Sequence, residues 1–379
     1  MNYFSEEHEM LRDLARRFAD EVLRPIAVEV DKNCDIPQGV IKQAAELGFF
    51  GVPFPEEYGG AGLGETGYCV LLEELTQGCF STAAMIGGHA SLGAQAVYQG
   101  GSEEMKKRWL PELCAGEKIA AFALTEPQAG SDVAALRTIA EKKGNHYILN
   151  GQKSFITNGG IADVYTVFAM TDRKKGKRGI SVFIVEKDAP GFSAGKPEDK
   201  MGLRGSHTSD LFLEDVEIPV ENMIGEEGEG YSIAMKTLDN GRLSLGAQCL
   251  GAAREALSCS IKQAKMREQF GRPIAKFQAI QWMLADMATD IYCMESILYN
   301  AAYLCDNGMP FRRQSAMVKL FCSEALGRIV DKAVQIHGGM GYMRECTVER
   351  LYRDARVTRI FEGTNEIQRI VIANSLLRD

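Results

Sequence analysis

Val164-Tyr165-Thr166-Val167-Phe168-Ala169-Met170 is an uncharged run of β-branched, aromatic and small side chains in a chain whose texture is otherwise largely helical. Such residues fit a pleated strand better than a helix, so the run predicts a β-strand. Working outward, His146-Tyr147-Ile148-Leu149, Ile180-Ser181-Val182-Phe183-Ile184-Val185 and Ser209-Asp210-Leu211-Phe212-Leu213 have the same character. Asn150-Gly151 and Asn158-Gly159-Gly160 punctuate them, and Asn-Gly supplies the positive φ that tight turns between antiparallel strands need. The spacing predicts a small antiparallel sheet domain over residues 119–227.

On either side the period changes to that of helices. Leu11, Leu14, Ala15, Phe18 and Val22 fall at helical spacing after Ser5, and Pro25 is expected to end that helix. Further helices are predicted at Val40 to Leu47, Thr66 to Thr76 and Ser102 to Cys114. Ser102 is a capping residue there, and Glu103 and Glu104 sit at the positive end of the helix. After Gly228-Glu229-Gly230, patterns from Tyr231 to Met266, Lys276 to Cys305 and Arg312 to Ile336 predict a four-helix bundle. The expected fold class is therefore α+β, mostly α: a helical domain over 1–118, the antiparallel β domain over 119–227, and the helical bundle over 228–379.

Composition narrows the function classes. A chain of 379 residues with 45% hydrophobic content suits two or three packed globular domains. Its net charge of −8 and mixed signs offer no basic face for nucleic acid, and Arg173-Lys174-Lys175-Gly176-Lys177-Arg178 reads as a solvated turn. The uncharged stretch from Leu75 to Ser102 contains Gly78, Thr82, Gly87, Gly88, His89, Ser91, Gln95 and Gln99, too polar for a membrane span and suited to a core helix. Ten cysteines without a C-x-x-C pair argue against zinc and against a disulfide framework, so no metal site is expected. With acidic Glu6 and Glu7 where a signal peptide would be basic, a cytoplasmic protein is expected. Gly62-Leu63-Gly64-Glu65-Thr66-Gly67 matches G-x-G-x-x-G, but no apolar strand precedes it and no βαβ unit follows, so a nicotinamide site is not expected.

One carboxylate stands out. Phe361-Glu362-Gly363-Thr364-Asn365-Glu366-Ile367 sets Glu362 between an aromatic ring and a glycine, where desolvation can raise its pKa and a carbonyl can approach the backbone. Read alone, it is more simply a solvated residue before a helix capped by Thr364, since most glutamates lie on the surface. Its context is Gln335-Ile336-His337-Gly338-Gly339-Met340-Gly341-Tyr342 and Val348-Glu349-Arg350-Leu351-Tyr352-Arg353-Asp354-Ala355-Arg356. Upstream stand Phe122-Ala123-Leu124-Thr125-Glu126-Pro127-Gln128-Ala129-Gly130-Ser131-Asp132, Ser154-Phe155-Ile156-Thr157-Asn158, Lys200-Met201-Gly202-Leu203-Arg204-Gly205-Ser206, Leu238-Asp239-Asn240-Gly241-Arg242 and Arg267-Glu268-Gln269-Phe270-Gly271-Arg272-Pro273. In this order, across nearly the whole chain, these blocks resemble the acyl-CoA dehydrogenase family.

The resemblance implies an FAD enzyme that removes the α-proton of an acyl-CoA thioester while the β-hydrogen leaves as hydride, giving a trans-2-enoyl-CoA. Glu362 matches the base, and its backbone N–H matches a donor to the thioester carbonyl. In other branches the base lies on a long helix, at the position matching Gly241, which cannot serve. Gly363, Asp239 and Arg242 match substrate contacts, although Asp239 and Arg242 read on their own as an exposed intrahelical charge pair. Phe122, Leu124, Thr125, Gly130 and Ser131 match a loop on the flavin, Ser131 also reaching substrate, and Phe155, Ile156 and Thr157 match the strand behind it. Arg267, Phe270, Gln278, Gln335, Gly338 and Gly339 match FAD contacts donated across a subunit boundary, with Thr364 and Glu366 contacts within the subunit. His337 is expected to pack beside the glycine turn. Implied partners are an acyl-CoA substrate, electron-transfer flavoprotein and copies of this chain in a homotetramer, a dimer of dimers.

Phe155 departs from the tryptophan common at that position, which opens the flavin edge in this reading. An acyl-CoA oxidase passing electrons to oxygen, and a catalytically silent acyl-CoA or flavin-binding protein, are the alternatives. Leu75 to Ser102 contains no Arg or Lys to hold a distal carboxylate, so an uncharged acyl tail is expected.

Overall fold

The computed structural model describes residues 3–377. Seven helices come first: α1 (Glu6–Phe18), α2 (Arg24–Asn33), α3 (Gln38–Glu46), α4 (Gly64–Gly78), α5 (Phe80–Gly87), α6 (Gln95–Gly100) and α7 (Glu103–Cys114). Ser5 caps α1 by accepting from the His8 backbone N–H, and Ser102 caps α7 by accepting from that of Met105, at 3.2 Å. Pro25 does not end the first helix. A π-helical turn at Ala19–Leu23 joins α1 to α2, and Pro25 sits in the first turn of α2, where it has no helical N–H bond to lose. The uncharged stretch is likewise not one helix: a second π turn, Gly88–Ala94, separates α5 from α6. Buried His89 lies in it, accepting from the Ala120 N–H at 2.9 Å and facing the Leu113 carbonyl at 3.0 Å; burial lowers its pKa to about 4, which keeps it neutral.

The strands follow: β1 (Ala120–Ala123), β2 (Ile139–Lys143), β3 (His146–Thr157), β4 (Val164–Met170), β5 (Ile180–Glu186), β6 (Phe192–Ala194), β7 (Thr208–Pro219) and β8 (Met223–Ile224). They form one sheet in the order β6-β7-β3-β2-β4-β5-β8, with β1 beside β4. The sheet is antiparallel except around β4, which pairs in parallel with β1 and touches β2 in parallel at Ile139 and Met170. Every residue of β4 is buried, which explains why its sequence lacks polar alternation.

Helical structure resumes with α8 (Gly230–Met266), α9 (Gln278–Asp306) and α10 (Arg312–His337), then α11 (Thr347–Ala355) and α12 (Asn365–Leu376); a short hairpin, β9 (Glu268–Gln269) and β10 (Arg272–Pro273), links α8 to α9. Three helices are long, and the fourth, α12, is a short one against α10. From Thr237 to Ala253 all of α8 is buried, because α4 lies on one side of it and α9 and α10 on others. Arg353 of α11 reaches back to Asp31 of α2 with a two-point ion pair at 2.7 and 2.9 Å, tying the last third of the chain to the first.

Candidate active site

Glu362 and Gly363 both adopt positive φ, 55° and 89°, between a 3-10 turn at Arg356–Arg359 and the start of α12. Glycine tolerates this; glutamate does so at a cost that its surroundings must offset. The hydroxyl of Thr364 caps α12 by accepting from the Ile367 N–H at 3.4 Å, as expected, and this fixes the far side of the turn. The near side is held by Gln368, whose amide donates to the Gly363 carbonyl at 2.9 Å, and by Arg242, whose Nε donates to the Glu362 carbonyl at 3.4 Å. The backbone N–H of Glu362 carries no hydrogen bond to the described residues.

The bend turns the carboxylate onto α8. A Cβ on Gly241 would stand 2.7 Å from Glu362 Oε2 and 2.8 Å from Leu92 Cδ2, so the absence of a side chain at 241 is what makes room for the base. Oε2 is itself buried and has no hydrogen-bond partner. Burial pushes the Glu362 pKa up to about 7, with Arg242 and Lys319 pulling the other way. A carboxyl poised near neutrality with an unoccupied lone pair is suited to taking a proton.

Lys319 was not singled out by sequence. It is fully buried on α10, and its ammonium donates to Asn365 Oδ1 at 2.6 Å, next to the base. Burial lowers its pKa to about 8. Its only sequence signal was a lysine at an apolar-period position of α10. Asp239 and Arg242 form a pair at 2.6 Å, as the intrahelical reading had it, but a buried one; burial raises the Asp239 pKa to about 6 against Arg242 and Arg312. Arg242 thus braces the Glu362 backbone.

The residues expected on a flavin loop are brought together in the sheet domain. The Ser154 N–H donates to the Thr125 carbonyl at 2.9 Å, laying the end of β3 against the loop from Leu124 to Ser131. A second unforeseen lysine holds this loop: fully buried Lys153 donates to Glu126 at 2.7 Å and to the Leu124 carbonyl at 3.3 Å. Burial alone would raise the Glu126 carboxyl, yet Lys153 and the neighbouring hydrogen bonds hold it below its ordinary value. Gly130 and Ser131 are exposed, Thr125, Thr157 and Phe122 half-buried, Leu124 and Ile156 buried. Phe155 sits at a break in the β3–β7 register with φ of 58°, and it is 67% exposed, an apolar face that the described residues leave uncovered. The π turn Gly88–Ala94 spans from this group to the base: a Cβ on Gly88 would stand 2.8 Å from Thr157 Cγ2, while Leu92 reaches Gly241.

A third group lines a cleft of about 1200 Å³: Arg267, Phe270, Gln335, Gly338 and Gly339, with His337 among them. His337 faces the Ala333 carbonyl at 2.8 Å, a packing role. Arg267 makes no ion pair or side-chain hydrogen bond with the described residues, and Phe270 is 93% exposed with φ of 53°. Gln278 is exposed at the first turn of α9 beside Phe277 of the cleft, and Glu366 is exposed at the start of α12. The free guanidinium and uncovered aromatic ring suit the phosphates and flat base of a dinucleotide, so the residues present fit FAD.

The chain resembles known proteins over nearly its whole length. Residues 5–117, 121–216 and 228–377 match, respectively, the N-terminal, middle and C-terminal domain models of acyl-CoA dehydrogenase. A short-chain specific acyl-CoA dehydrogenase of Clostridium acetobutylicum is 46% identical over 374 residues, covering 99% of both chains. A solved chain described under "Electron transferring flavoprotein of Acidaminococcus fermentans: Towards a mechanism of flavin-based electron bifurcation" is 47% identical with a TM-score of 0.98, covering 99% of both chains. An acyl-CoA dehydrogenase of Bacillus anthracis complexed with FAD is 39% identical with a TM-score of 0.93, over 99% of this chain and 67% of that one. The chain belongs to the acyl-CoA dehydrogenase family.

Proposed function

We propose that this protein is an FAD-dependent acyl-CoA dehydrogenase that converts a short acyl-CoA to its trans-2-enoyl-CoA, with Glu362 as the base, and passes the electrons to an electron-transfer flavoprotein. The observation that carries this is the orphaned Oε2 of Glu362, buried and aimed at the space that Gly241 leaves open. Bound FAD supplies the acceptor for the β-hydrogen. Everything else is the chain's own work. Glu362 takes the α-proton on its carboxylate, and its N–H, free of any partner among the described residues, would stabilise enolate character on the thioester oxygen as that proton leaves. Burial raises the base to a pKa near the working pH, and Arg242, Gln368 and Lys319 hold its turn in place.

The residues assigned to cofactor are Phe122, Leu124, Thr125, Gly130, Ser131, Phe155, Ile156, Thr157, Thr364 and Glu366 in one chain, with Arg267, Phe270, Gln278, Gln335, Gly338 and Gly339 from a neighbouring copy. Ser131, Asp239, Arg242 and Gly363 are assigned to substrate, and the chain's three segments, 1–118, 119–227 and 228–379, are assigned as domains. The 93% exposure of Phe270 supports a neighbour, since a single chain leaves its ring uncovered. The lack of any Arg or Lys in α5, the π turn and α6 supports a tail without a carboxylate. No helix of the described residues is long and apolar enough to cross a membrane, which accords with a cytoplasmic enzyme.

The exposed Phe155 favours one second reading, an oxidase, because a smaller ring leaves more room for oxygen. Anaerobic titration of the purified protein with acyl-CoAs tests the main reading: bleaching of the flavin absorbance is expected, and a protein that no acyl-CoA bleaches refutes it. Reoxidation in air at catalytic speed, without a flavoprotein acceptor, would establish the oxidase instead.

A further inference from the structure

The Gly-rich stretch that mimics a dinucleotide fingerprint opens α4, and its acidic residue is buried. Glu65 is 6% exposed, beneath a helix start whose N–H groups at Glu65 and Thr66 are already taken by the Asp306 carboxylate at 2.6 and 2.9 Å. Its Oε2 accepts from Asn240 Nδ2 at 3.0 Å, while its Oε1 is buried with no partner. No Lys or Arg pairs with it among the described residues; the charges that reach it, Asp306 and Glu362, are both acidic and, with burial, raise its pKa to about 8.

Its position relative to the base follows from α8. Asn240 and Gly241 are consecutive, so the helix turns one residue toward Glu65 and the next toward Glu362. One turn earlier on α8, Thr237 Oγ1 is also buried without a partner. One turn along α4, buried Tyr68 donates its hydroxyl to the Ile86 carbonyl of α5 at 2.9 Å. The unpartnered oxygens of Glu65 and Thr237 are unfavourable as they stand, where apolar side chains of similar volume would not be. A tail bearing a hydrogen-bonding group at its end would supply the missing partner.

We propose that Glu65 and Asn240 form the distal end of the acyl pocket and select a short acyl-CoA whose last carbon carries a hydroxyl or an amino group. The shared chemistry is a donor to Glu65 Oε1; the amine would enter as an ammonium paired with the carboxylate, the hydroxyl as a neutral partner of either protonation state. This rests on Glu362 acting on an acyl-CoA thioester, and the test separates the two claims.

The holoenzyme is titrated anaerobically with butyryl-CoA, valeryl-CoA and their freshly prepared counterparts with a terminal hydroxyl or amino group, following flavin absorbance for both binding and bleaching. A terminal polar group is expected to tighten binding about tenfold over the matching alkyl chain, the effect of one buried hydrogen bond. In Glu65→Leu the preference should fall to parity or reverse, with flavin content as the check on folding. Glu65→Gln distinguishes the sources: it keeps recognition of the hydroxyl and loses that of the ammonium. Equal or tighter binding of the alkyl chains by the native enzyme overturns the proposal, as does a preference for the polar tail that survives in both variants. If no acyl-CoA of the panel bleaches the flavin, the dehydrogenase reading itself falls and takes this proposal with it.

Discussion

Three local features suit Glu362 to the role of base proposed for it. A positive φ at 362 and 363 bends the chain, Gly241 vacates the space the carboxylate enters, and burial holds the proton affinity near neutrality. The sign of the pH dependence follows. A base is active only when unprotonated, so with a pKa of about 7 the bleaching rate at low acyl-CoA should fall about tenfold per pH unit below 7 and level off above it. A flat profile from pH 5 to 8 in stopped flow would contradict this. Glu362→Gln should retain flavin and lose bleaching by roughly 10²–10⁴-fold or more, the usual contribution of a general base. Gly241→Ala probes the vacated space: its methyl would press on Oε2 and Leu92, and a base displaced by about 1 Å costs on the order of a hundredfold in rate. Native turnover in that variant would show that the carboxylate does not need the gap. At this scale the sequence was partly legible. The motif around Glu362 was plain, and Gly241 was marked as unable to be a base. Buried Lys153 and Lys319 were not marked, because lysines are read as surface residues until a partner is seen, and their partners Glu126 and Asn365 lie 27 and 46 positions away in sequence.

Among the elements, the strands were the easiest to anticipate, since β-branched runs such as Ile180–Glu186 and Val164–Met170 fall between clear turn residues. The parallel pairing of β1 with β4 was not legible, because register between distant strands depends on the whole sheet rather than on either run. The two π turns were missed for a related reason: they add one residue to a helical turn without any residue that marks it, and Pro25 fits the resumed helix as well as it would fit an end. What sets the spacing of α4 and α8 is more local. A Cβ on Gly251 would stand 2.1 Å from the Glu73 carbonyl oxygen of α4, so these helices touch backbone to backbone. Gly251→Ala must push them apart, and overpacking of this kind costs about 1–3 kcal/mol. Because α4 also carries Glu65 and α8 carries Gly241, the same change should weaken acyl-CoA binding. Gly39→Ala in α3 is the control: nothing lies within 4 Å of its Cβ position, and alanine favours helix there. Thermal melts of the two variants check this; equal midpoints would argue that α4 and α8 have slack.

Across the whole molecule, one chain assembles the proposed base and the loop proposed to face the flavin, but among the described residues leaves the Arg267 cleft with an unpaired cation and an uncovered ring. Isolated, these features add nothing to stability, since an exposed Phe270 gains no burial and its left-handed backbone is unfavourable. They make sense together if a second copy presents its FAD to the cleft, so that holding the cofactor and holding the assembly are the same event. Arg267→Ala then has a specific expected outcome. Losing a charge-assisted hydrogen bond to phosphate should weaken FAD retention by roughly ten- to a hundredfold, while the far-ultraviolet circular dichroism stays native because the Arg267 side chain makes no ion pair or hydrogen bond with the described residues. Phe270→Ala should do the same more weakly, through lost stacking. The measurement is the ratio of flavin to protein absorbance after gel filtration, taken alongside the elution volume. Loss of flavin together with a shift toward smaller species is the expected pair. Full flavin content in Arg267→Ala, at unchanged size, would place the pyrophosphate elsewhere and leave the cleft without a role in cofactor binding.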